Sequence, residues 1–297
     1  MTAEEGFFNE YNARTRVIGL GKSLSLRPRG QRGMAEGYWV VRTYEAGAVG
    51  EKTKFWVAGA RPEKRSRKKE MEAAKKQEQN EYSALKNASR LINANFGAGD
   101  LLIGLDYSEA GMARLERYAA ESPAEGENEE TAHMEAIRRA AERELRLCLR
   151  RVKRELAKDG TQLRYLAVTS DMDGDTGEAV RVHHHIIVNE EGKEAFVQKW
   201  ASLGGVEWET LREQVDYIRL AEYLLRQVRR VPDAKKFLTS RNLVRPEPKD
   251  RIAVSDAELR VPRGGKLLHR SEYRPGGPQY MRYMLPRERW RKPEKKE

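Results

Sequence analysis

The sequence predicts an α+β fold built on a central, mostly antiparallel sheet with flanking helices. Three observations support this class: an apolar strand-like run at Leu101–Leu105, a long amphipathic helical pattern over residues 134–156, and two strand-like runs at 163–169 and 180–188. A second helical pattern follows near residues 210–230. The order strand, helix, strand, strand, helix is typical of α+β domains.

The N-terminal 60 residues predict an irregular segment that contains short strands. Two strand-like pieces, at 38–41 and 54–57, are separated by Gly47 and Gly50. Nothing in the composition of this segment points to a particular function.

A basic helix is predicted next. Residues 61–76 contain eight Lys or Arg and three Glu, and helix-favouring residues continue to about Asn95. These cations either form a solvated helix face or contact phosphate groups. Four of them are the candidate DNA contacts: Arg65, Arg67, Lys68 and Lys69.

The run Leu101–Leu105 follows a Gly-rich turn, and we interpret it as a buried strand. Residues 121–130 are acidic and polar and predict either a mobile loop or a fraying helix end. The long helix beyond them ends at Gly160, and its apolar residues recur at spacings of three and four: Met134, Ile137, Ala141, Leu145, Cys148, Val152 and Leu156. Because Cys148 lies in this stripe, a packed thiol is favoured over a reactive one.

The runs at 163–169 and 180–188 predict a hairpin whose connection is rich in aspartate. The order of acidic residues in this connection does not match a calcium-binding loop, which ends in a distal Glu. A short helix near 193–202, a strand at 206–208 and the helix at 210–230 follow, and Pro232 ends that helix.

Beyond residue 245 Pro and Gly become frequent, and residues 282–297 contain seven Lys or Arg against three Glu. This composition predicts an extended basic arm over 246–297. The chain therefore divides into an irregular segment at 1–60, a domain at 61–245 that includes the basic helix, and the C-terminal arm.

Composition favours a polyanionic partner and excludes several classes of protein. The chain has 297 residues and a net charge of +11, with a pI near 9.6. Cys148 is the only cysteine, which excludes an internal disulfide and a thiolate zinc cluster and fits a reducing compartment. The N-terminus has no apolar signal, and no run of about 18 uncharged apolar residues is present, so we expect neither secretion nor a membrane partner.

Three consecutive histidines, His183, His184 and His185, stand in a β-branched strand. Alternate residues of a strand share a face, so His183 and His185 point to one side and His184 to the other. Two imidazoles on one face can bind one metal ion. The alternatives are a packed histidine cluster and a chance run of histidines that resembles an engineered tag. A hard divalent ion such as Mg²⁺ or Mn²⁺ also requires oxygen ligands, and Asp171 is the first candidate, ahead of Asp173, Asp175 and Glu178.

The helix after Asp216 carries two tyrosines that helical geometry separates. Tyr217 falls in the apolar stripe and is predicted to be core, whereas Tyr223 falls on the opposite face. Three cations share the face of Tyr223: Arg219, Arg226 and Arg230. Guanidinium groups attract a phosphodiester and stabilise charge that develops on it, so Tyr223 is the candidate nucleophile and Arg226 its candidate catalytic partner. A surface tyrosine on a basic helix is the alternative.

The order of these segments resembles the rolling-circle replication-associated proteins of bacterial plasmids, phages and integrated elements, in the HUH endonuclease superfamily. The resemblance covers roughly residues 60–250 and depends on the order and spacing of several segments: residues 90–96, 99–105, 183–185, 216–225 and 240–243.

The resemblance implies a five-stranded antiparallel sheet, a metal ion held by His183 and His185, and Tyr223 as the nucleophile that cuts one DNA strand at a replication origin. It implies a 5′-phosphotyrosine with a free 3′-hydroxyl, a single-stranded or hairpin DNA substrate, a host helicase as a possible partner, and the bacterial cytoplasm as location. A relaxase or transposase with the same chemistry, a catalytically inactive basic DNA-binding protein, and a zinc hydrolase remain the alternatives.

Overall fold

Two five-stranded antiparallel sheets and five α-helices form the part of the chain described by the computed structural model, residues 37–58, 73–124, 126, 128–228 and 235–290. The strands are β1 (Gly37–Ala46), β2 (Val49–Ala58), β3 (Leu101–Leu105), β4 (Tyr165–Met172), β5 (Ala179–Val188), β6 (Val206–Thr210), β7 (Leu238–Thr239), β8 (Lys249–Ala253), β9 (Lys266–Arg270) and β10 (Gln279–Met284). The helices are α1 (Ala73–Asn95), α2 (Glu109–Glu121), α3 (Glu129–Leu156), α4 (Lys193–Trp200) and α5 (Ile218–Arg226). The predicted α+β class is therefore confirmed.

The central sheet has the strand order β6-β3-β5-β4-β7 and is covered by helices on both faces. On one face the core contains Leu115 of α2, Leu145 of α3 and Phe196 of α4. On the other face it contains Ile92 of α1 and Leu224 of α5. Burial on both faces explains why β3 and the second half of β5 are nearly continuous apolar runs.

Helix α1 ends at Asn95, as the sequence predicts. The amide of Asn95 stabilises this end, because its Nδ2 donates to the carbonyl of Leu91 at 2.9 Å and its Oδ1 accepts from the backbone of Val244 at 2.7 Å. The candidate DNA contacts Arg65, Arg67, Lys68 and Lys69 lie outside the described residues. No helix within the described ranges is both long and apolar enough to cross a membrane.

The second sheet corrects the predictions for both ends of the chain. Its order is β8-β1-β2-β10-β9, so strands before residue 60 pair with strands after residue 245. The short pieces predicted near 38–41 and 54–57 lie within two ten-residue strands. The prediction of an extended arm is wrong for residues 249–284, because the Pro and Gly residues there separate strands.

The helix predicted at 210–230 is shorter at its start. Strand β6 extends through Thr210, and α5 begins only at Ile218. The connection between them is fixed by side chains: Asn93 Oδ1 accepts from the backbone of Tyr217 at 2.8 Å, and Asp216 Oδ1 accepts from the backbone of Ile218 at 3.0 Å. These contacts compete with helical hydrogen bonding before residue 218.

A buried ion network joins the second sheet to the start of α5. Arg282 of β10 lies 2.5 Å from Glu51 of β2 and 2.5 Å from Asp216. Arg90 of α1 lies 2.6 Å from the second oxygen of Glu51. Arg282, which the sequence places in an extended basic arm, is therefore buried and paired.

Candidate active site

Strand β5 places the central histidine in the core and the two outer ones on the opposite face. The ring nitrogens of His184 lie 2.9 Å from Tyr107 Oη and 3.1 Å from Thr169 Oγ1. Trp200 packs edge-on against the same ring. Complete burial, and then the nearby His183, lower the pKa of His184 to about 3. The predicted alternation is confirmed, and His184 contributes to packing.

The other two imidazoles of this strand face each other. The Nε2 atoms of His183 and His185 are 3.2 Å apart, and the two rings are nearly perpendicular at 86°. His183 Nδ1 lies 3.0 Å from the carbonyl oxygen of Arg181, which can only accept a hydrogen bond. The proton of the neutral ring is therefore on Nδ1, and the Nε2 lone pair points toward His185.

Gln227 follows the last residue of α5 and contributes the third of three neighbouring polar atoms: His183 Nε2, His185 Nε2 and Gln227 Oε1. Its Oε1 lies 3.1 Å from His185 Nε2, and its Nε2 donates to the carbonyl of Tyr223 at 3.3 Å. The residue is buried. Sequence reasoning did not select Gln227, although its spacing of four from Tyr223 places both on one helix face.

An irregularity in β4 brings the end of α5 to the histidine strand. The register of β4 on β5 shifts between Ser170 and Met172. At this bulge the backbone amides of Asp171 and Met172 both donate to the carbonyl of Gln227, at 3.2 and 3.3 Å. The bulge thus fixes the position of Gln227 along β5. Because Tyr223 is on the same helix, its position beside His185 is fixed as well.

Asp171, the predicted third metal ligand, contributes this backbone contact. Its carboxylate is buried, but no group of three or more His, Cys, Asp or Glu side chains able to hold a metal occurs in the described part of the chain. The structure therefore brings Gln227, and not the carboxylate of Asp171, to the two histidines. The reserve candidate Asp173 caps its own loop, with Oδ1 accepting from the backbones of Asp175 and Thr176 at 2.8 Å each.

Tyr223 lies beside the histidine pair. Its ring centroid is 5.7 Å from that of His185, and 40% of the residue is exposed, so the phenol is open to a ligand from solvent. Tyr217 is 3% exposed and donates from its hydroxyl to the carbonyl of Arg212 at 2.8 Å. The prediction that Tyr217 is core and Tyr223 is on the other face is confirmed.

The three predicted cations of the tyrosine helix differ in their surroundings. Arg226 donates to the carbonyl of Gly174 at 2.7 Å and to Asp175 Oδ1 at 2.9 Å, so its guanidinium contacts the loop between β4 and β5. Arg219 is exposed one turn before Tyr223. Arg230 lies outside the described residues. The exposed pair of Arg226 with Asp175 is weak enough for a phosphate to replace the carboxylate.

The electrostatics of the site keep His185 neutral. Burial, and then the nearby His183, lower the pKa of His185 to about 4, while a hydrogen bond with Gln227 and the charge of Asp106 oppose this shift. Gly104 pairs with His185 across β3 and β5 and adds no side chain beside the ring. A neutral imidazole is the form that binds metal ions.

The three polar atoms fit a divalent cation. Adjacent ligands of an octahedral ion with bonds of about 2.1 Å are about 3 Å apart. The separations of 3.2 Å between the two imidazole nitrogens and 3.1 Å from His185 Nε2 to Gln227 Oε1 match this value. Two imidazoles and one amide leave further positions for water or a phosphate oxygen.

Comparisons with known proteins do not add a family to this description. A scan against protein-family models, a search of the curated proteins and a search of the solved structures each returned no match. A functional assignment therefore depends on the geometry of His183, His185, Gln227 and Tyr223.

Proposed function

We propose that this protein is a metal-assisted nicking enzyme for single-stranded DNA, of the HUH class that initiates rolling-circle replication. One observation carries the proposal: the ring of Tyr223 lies 5.7 Å from His185, whose Nε2 is 3.2 Å from His183 Nε2 and 3.1 Å from Gln227 Oε1. A candidate nucleophile and a candidate set of metal ligands are therefore adjacent, and one phosphodiester can contact both.

Tyr223 supplies the nucleophile in this proposal. Its phenolic oxygen attacks the phosphorus atom, an oxygen–phosphorus bond forms to the tyrosine, and the bond from phosphorus to the 3′ oxygen breaks. The proton lost by the phenol is balanced by the proton gained by the leaving 3′ oxygen. The products are a 5′-phosphotyrosine and a free 3′-hydroxyl, and the exchange of one ester for another conserves the bond for religation.

His183, His185 and Gln227 would hold the cation, which when bound polarises the scissile phosphate and neutralises its charge. The carbonyl of Arg181 keeps His183 in the tautomer whose Nε2 lone pair is available. The rigid sheet and the contact of the Gln227 carbonyl with the bulge in β4 hold this group in place.

The surrounding cations fit the charge of the substrate. Arg219 is exposed on the tyrosine helix, and Arg226 lies in an exposed ion pair that a phosphate can displace. The net charge of +11 favours association with a polyanion. A single strand, or one extruded as a hairpin, allows the backbone to reach Tyr223 in line.

The test is formation of a covalent protein–DNA adduct. Overlapping single-stranded oligonucleotides that tile the DNA flanking the coding region are incubated with protein and Mn²⁺, and products are separated on a denaturing gel. We expect an adduct with the wild-type protein that is lost in Tyr223→Phe and in His183→Ala/His185→Ala. The matched control is Tyr38→Phe, since Tyr38 of β1 is similarly exposed at 45%.

Two results would contradict the proposal. An adduct that persists in Tyr223→Phe would exclude this tyrosine as the nucleophile. Metal-dependent cleavage without any adduct would instead indicate a hydrolase in which water attacks the phosphate. Relaxases and transposases with the same chemistry would give the same adduct, and the position of the cut relative to the coding region would distinguish them.

A further inference from the structure

A row of exposed cations follows the outer face of α3, on the side of the central sheet opposite the histidine pair. The buried face of α3 packs in the core that also contains Phe196 and Trp200, whereas His183 and His185 face the other way. The exposed cations recur at helical spacing: Arg139, Arg143, Arg146, Arg150, Lys153 and Arg154. At about 100° and 1.5 Å per residue they form one narrow stripe about 23 Å long. We call these six residues the α3 ridge.

One end of the α3 ridge borders a surface pocket of about 260 Å³. Cations outnumber carboxylates in its lining, which includes Arg138, Arg139, Arg146, Lys235, Glu135 and Glu142. Arg138 is 5% exposed, and its buried Nε has no hydrogen-bond partner among the described residues. The guanidinium of Arg138 also lies 3.7 Å from Glu142. The excess of cations over carboxylates in the lining favours an anionic ligand in the pocket.

The carboxylates beside the ridge do not neutralise it. Arg139 lies 3.1 Å from Glu135 and Arg146 lies 2.8 Å from Glu142, and both arginine side chains are more than half exposed. Exposed pairs of this kind contribute little and exchange readily with other anions. Arg143 stacks over the ring of Tyr118, with its guanidinium carbon 4.4 Å from the ring centroid, which orients its charge.

We propose that the α3 ridge and this pocket bind the phosphate backbone of double-stranded DNA. The length of the ridge matches a run of several phosphates better than a single small anion, because the duplex carries one charge per about 1.7 Å of its axis. The ridge residues are all arginine or lysine, without the aromatic side chains on which the bases of single strands stack. The ridge holds duplex DNA whether or not Tyr223 cuts a strand on the opposite face.

The test measures affinity for a 20-base-pair duplex by fluorescence anisotropy, in EDTA and over a range of NaCl concentrations. The variant Arg143→Gln/Arg146→Gln/Arg150→Gln is compared with a control that loses the same charge from exposed positions near the second sheet, Arg251→Gln/Arg260→Gln/Arg263→Gln. We expect the ridge variant to bind at least about tenfold more weakly at low salt, and the slope of log affinity against log salt to fall by about 2–3.

A charge-preserving variant separates phosphate binding from structure. Arg143→Lys/Arg146→Lys/Arg150→Lys keeps the three charges and should keep most of the salt slope, and binding of a 20-nucleotide oligo(dT) strand should change less than threefold in either ridge variant. Equal losses in the ridge variant and its control would show that only net charge matters. An unchanged duplex affinity, or an equal loss of single-strand binding, would also overturn the proposal.

Discussion

The central sheet and the second sheet are both five-stranded and antiparallel, but different interactions stabilise them. The central sheet is covered by helices on both faces, with a large apolar cluster on each face. The second sheet has a small apolar cluster around Met281 and Tyr283. Buried ion pairs also contribute to it, including Lys54 with Asp256 and Arg282 with Glu51.

Under the proposed function, this difference accounts for the position of the candidate site in the central sheet. A sheet packed between helices holds its strands rigidly, so the His183 and His185 pair keeps its geometry beside α5. A sheet that depends on buried ion pairs is sensitive to any change in their charges, because a carboxylate that loses its partner stays buried. We therefore expect single substitutions in the buried ion pairs of the second sheet to lower stability, and single substitutions in the polar group of the central sheet to lower activity.

The largest expected effect is at Arg282. Arg282→Met leaves Glu51 and Asp216 facing each other without their shared cation, and we expect a loss of about 3–5 kcal/mol in the free energy of unfolding. Removal of the exposed pair of Arg42 with Asp250 on the same sheet, by Arg42→Gln, should cost no more than about 1 kcal/mol. Denaturant unfolding followed by circular dichroism measures both values. Similar losses in the two variants would mean that the buried network does not stabilise the second sheet.

The sequence predicted features that depend on local periodicity. The alternation of His183, His184 and His185 and the apolar stripe of α3 follow from the repeats of a strand and a helix, which neighbouring residues determine. The assignment of Tyr217 to the core and Tyr223 to the opposite face follows from the same angular argument. Such features do not depend on which strands pair.

The second sheet could not be predicted in this way, because its strands pair across about two hundred residues. Val40 of β1 pairs with Ile252 of β8, and Glu51 of β2 pairs with Arg282 of β10. The neighbouring residues of Arg282 predict an extended basic arm, because its buried partners Glu51 and Asp216 are distant in the sequence.

The sequence does not predict Gln227 as the third polar group of the candidate site, and the reason is chemical. Asp171 was preferred because carboxylates are the usual oxygen ligands of hard cations, and its position at the end of β4 is adjacent to the histidines. The bulge at this position instead directs the backbone of Asp171 to α5. A neutral amide such as Gln227 gives no charge signal, and only its helical spacing from Tyr223 pointed to it.

The two faces of β5 should respond differently to loss of a histidine. His184→Ala removes a buried ring and one hydrogen-bond partner from each of the hydroxyls of Tyr107 and Thr169, so we expect a loss of about 2–4 kcal/mol in the free energy of unfolding. His183→Ala removes a half-buried ring and should change this value by less than about 1 kcal/mol, while abolishing the metal-dependent adduct. Thermal unfolding and the adduct assay measure the two effects. Equal destabilisation by both substitutions would contradict the separation of a packing face from a reactive face.

The smallest expected effect is at Gln227. Gln227→Ala keeps the backbone carbonyl that binds the bulge in β4 but removes Oε1 from the histidine pair, so the fold should be retained while the affinity for Mn²⁺ falls about 10–100-fold. Isothermal titration calorimetry measures the affinity, and adduct yield against Mn²⁺ concentration should shift by the same factor, with recovery at high metal. Asp171→Asn is the matched comparison. If this variant weakens Mn²⁺ binding and Gln227→Ala does not, the carboxylate of Asp171 is the ligand and the amide of Gln227 is not. In that case the position of α5 beside the histidines would serve only to place Tyr223.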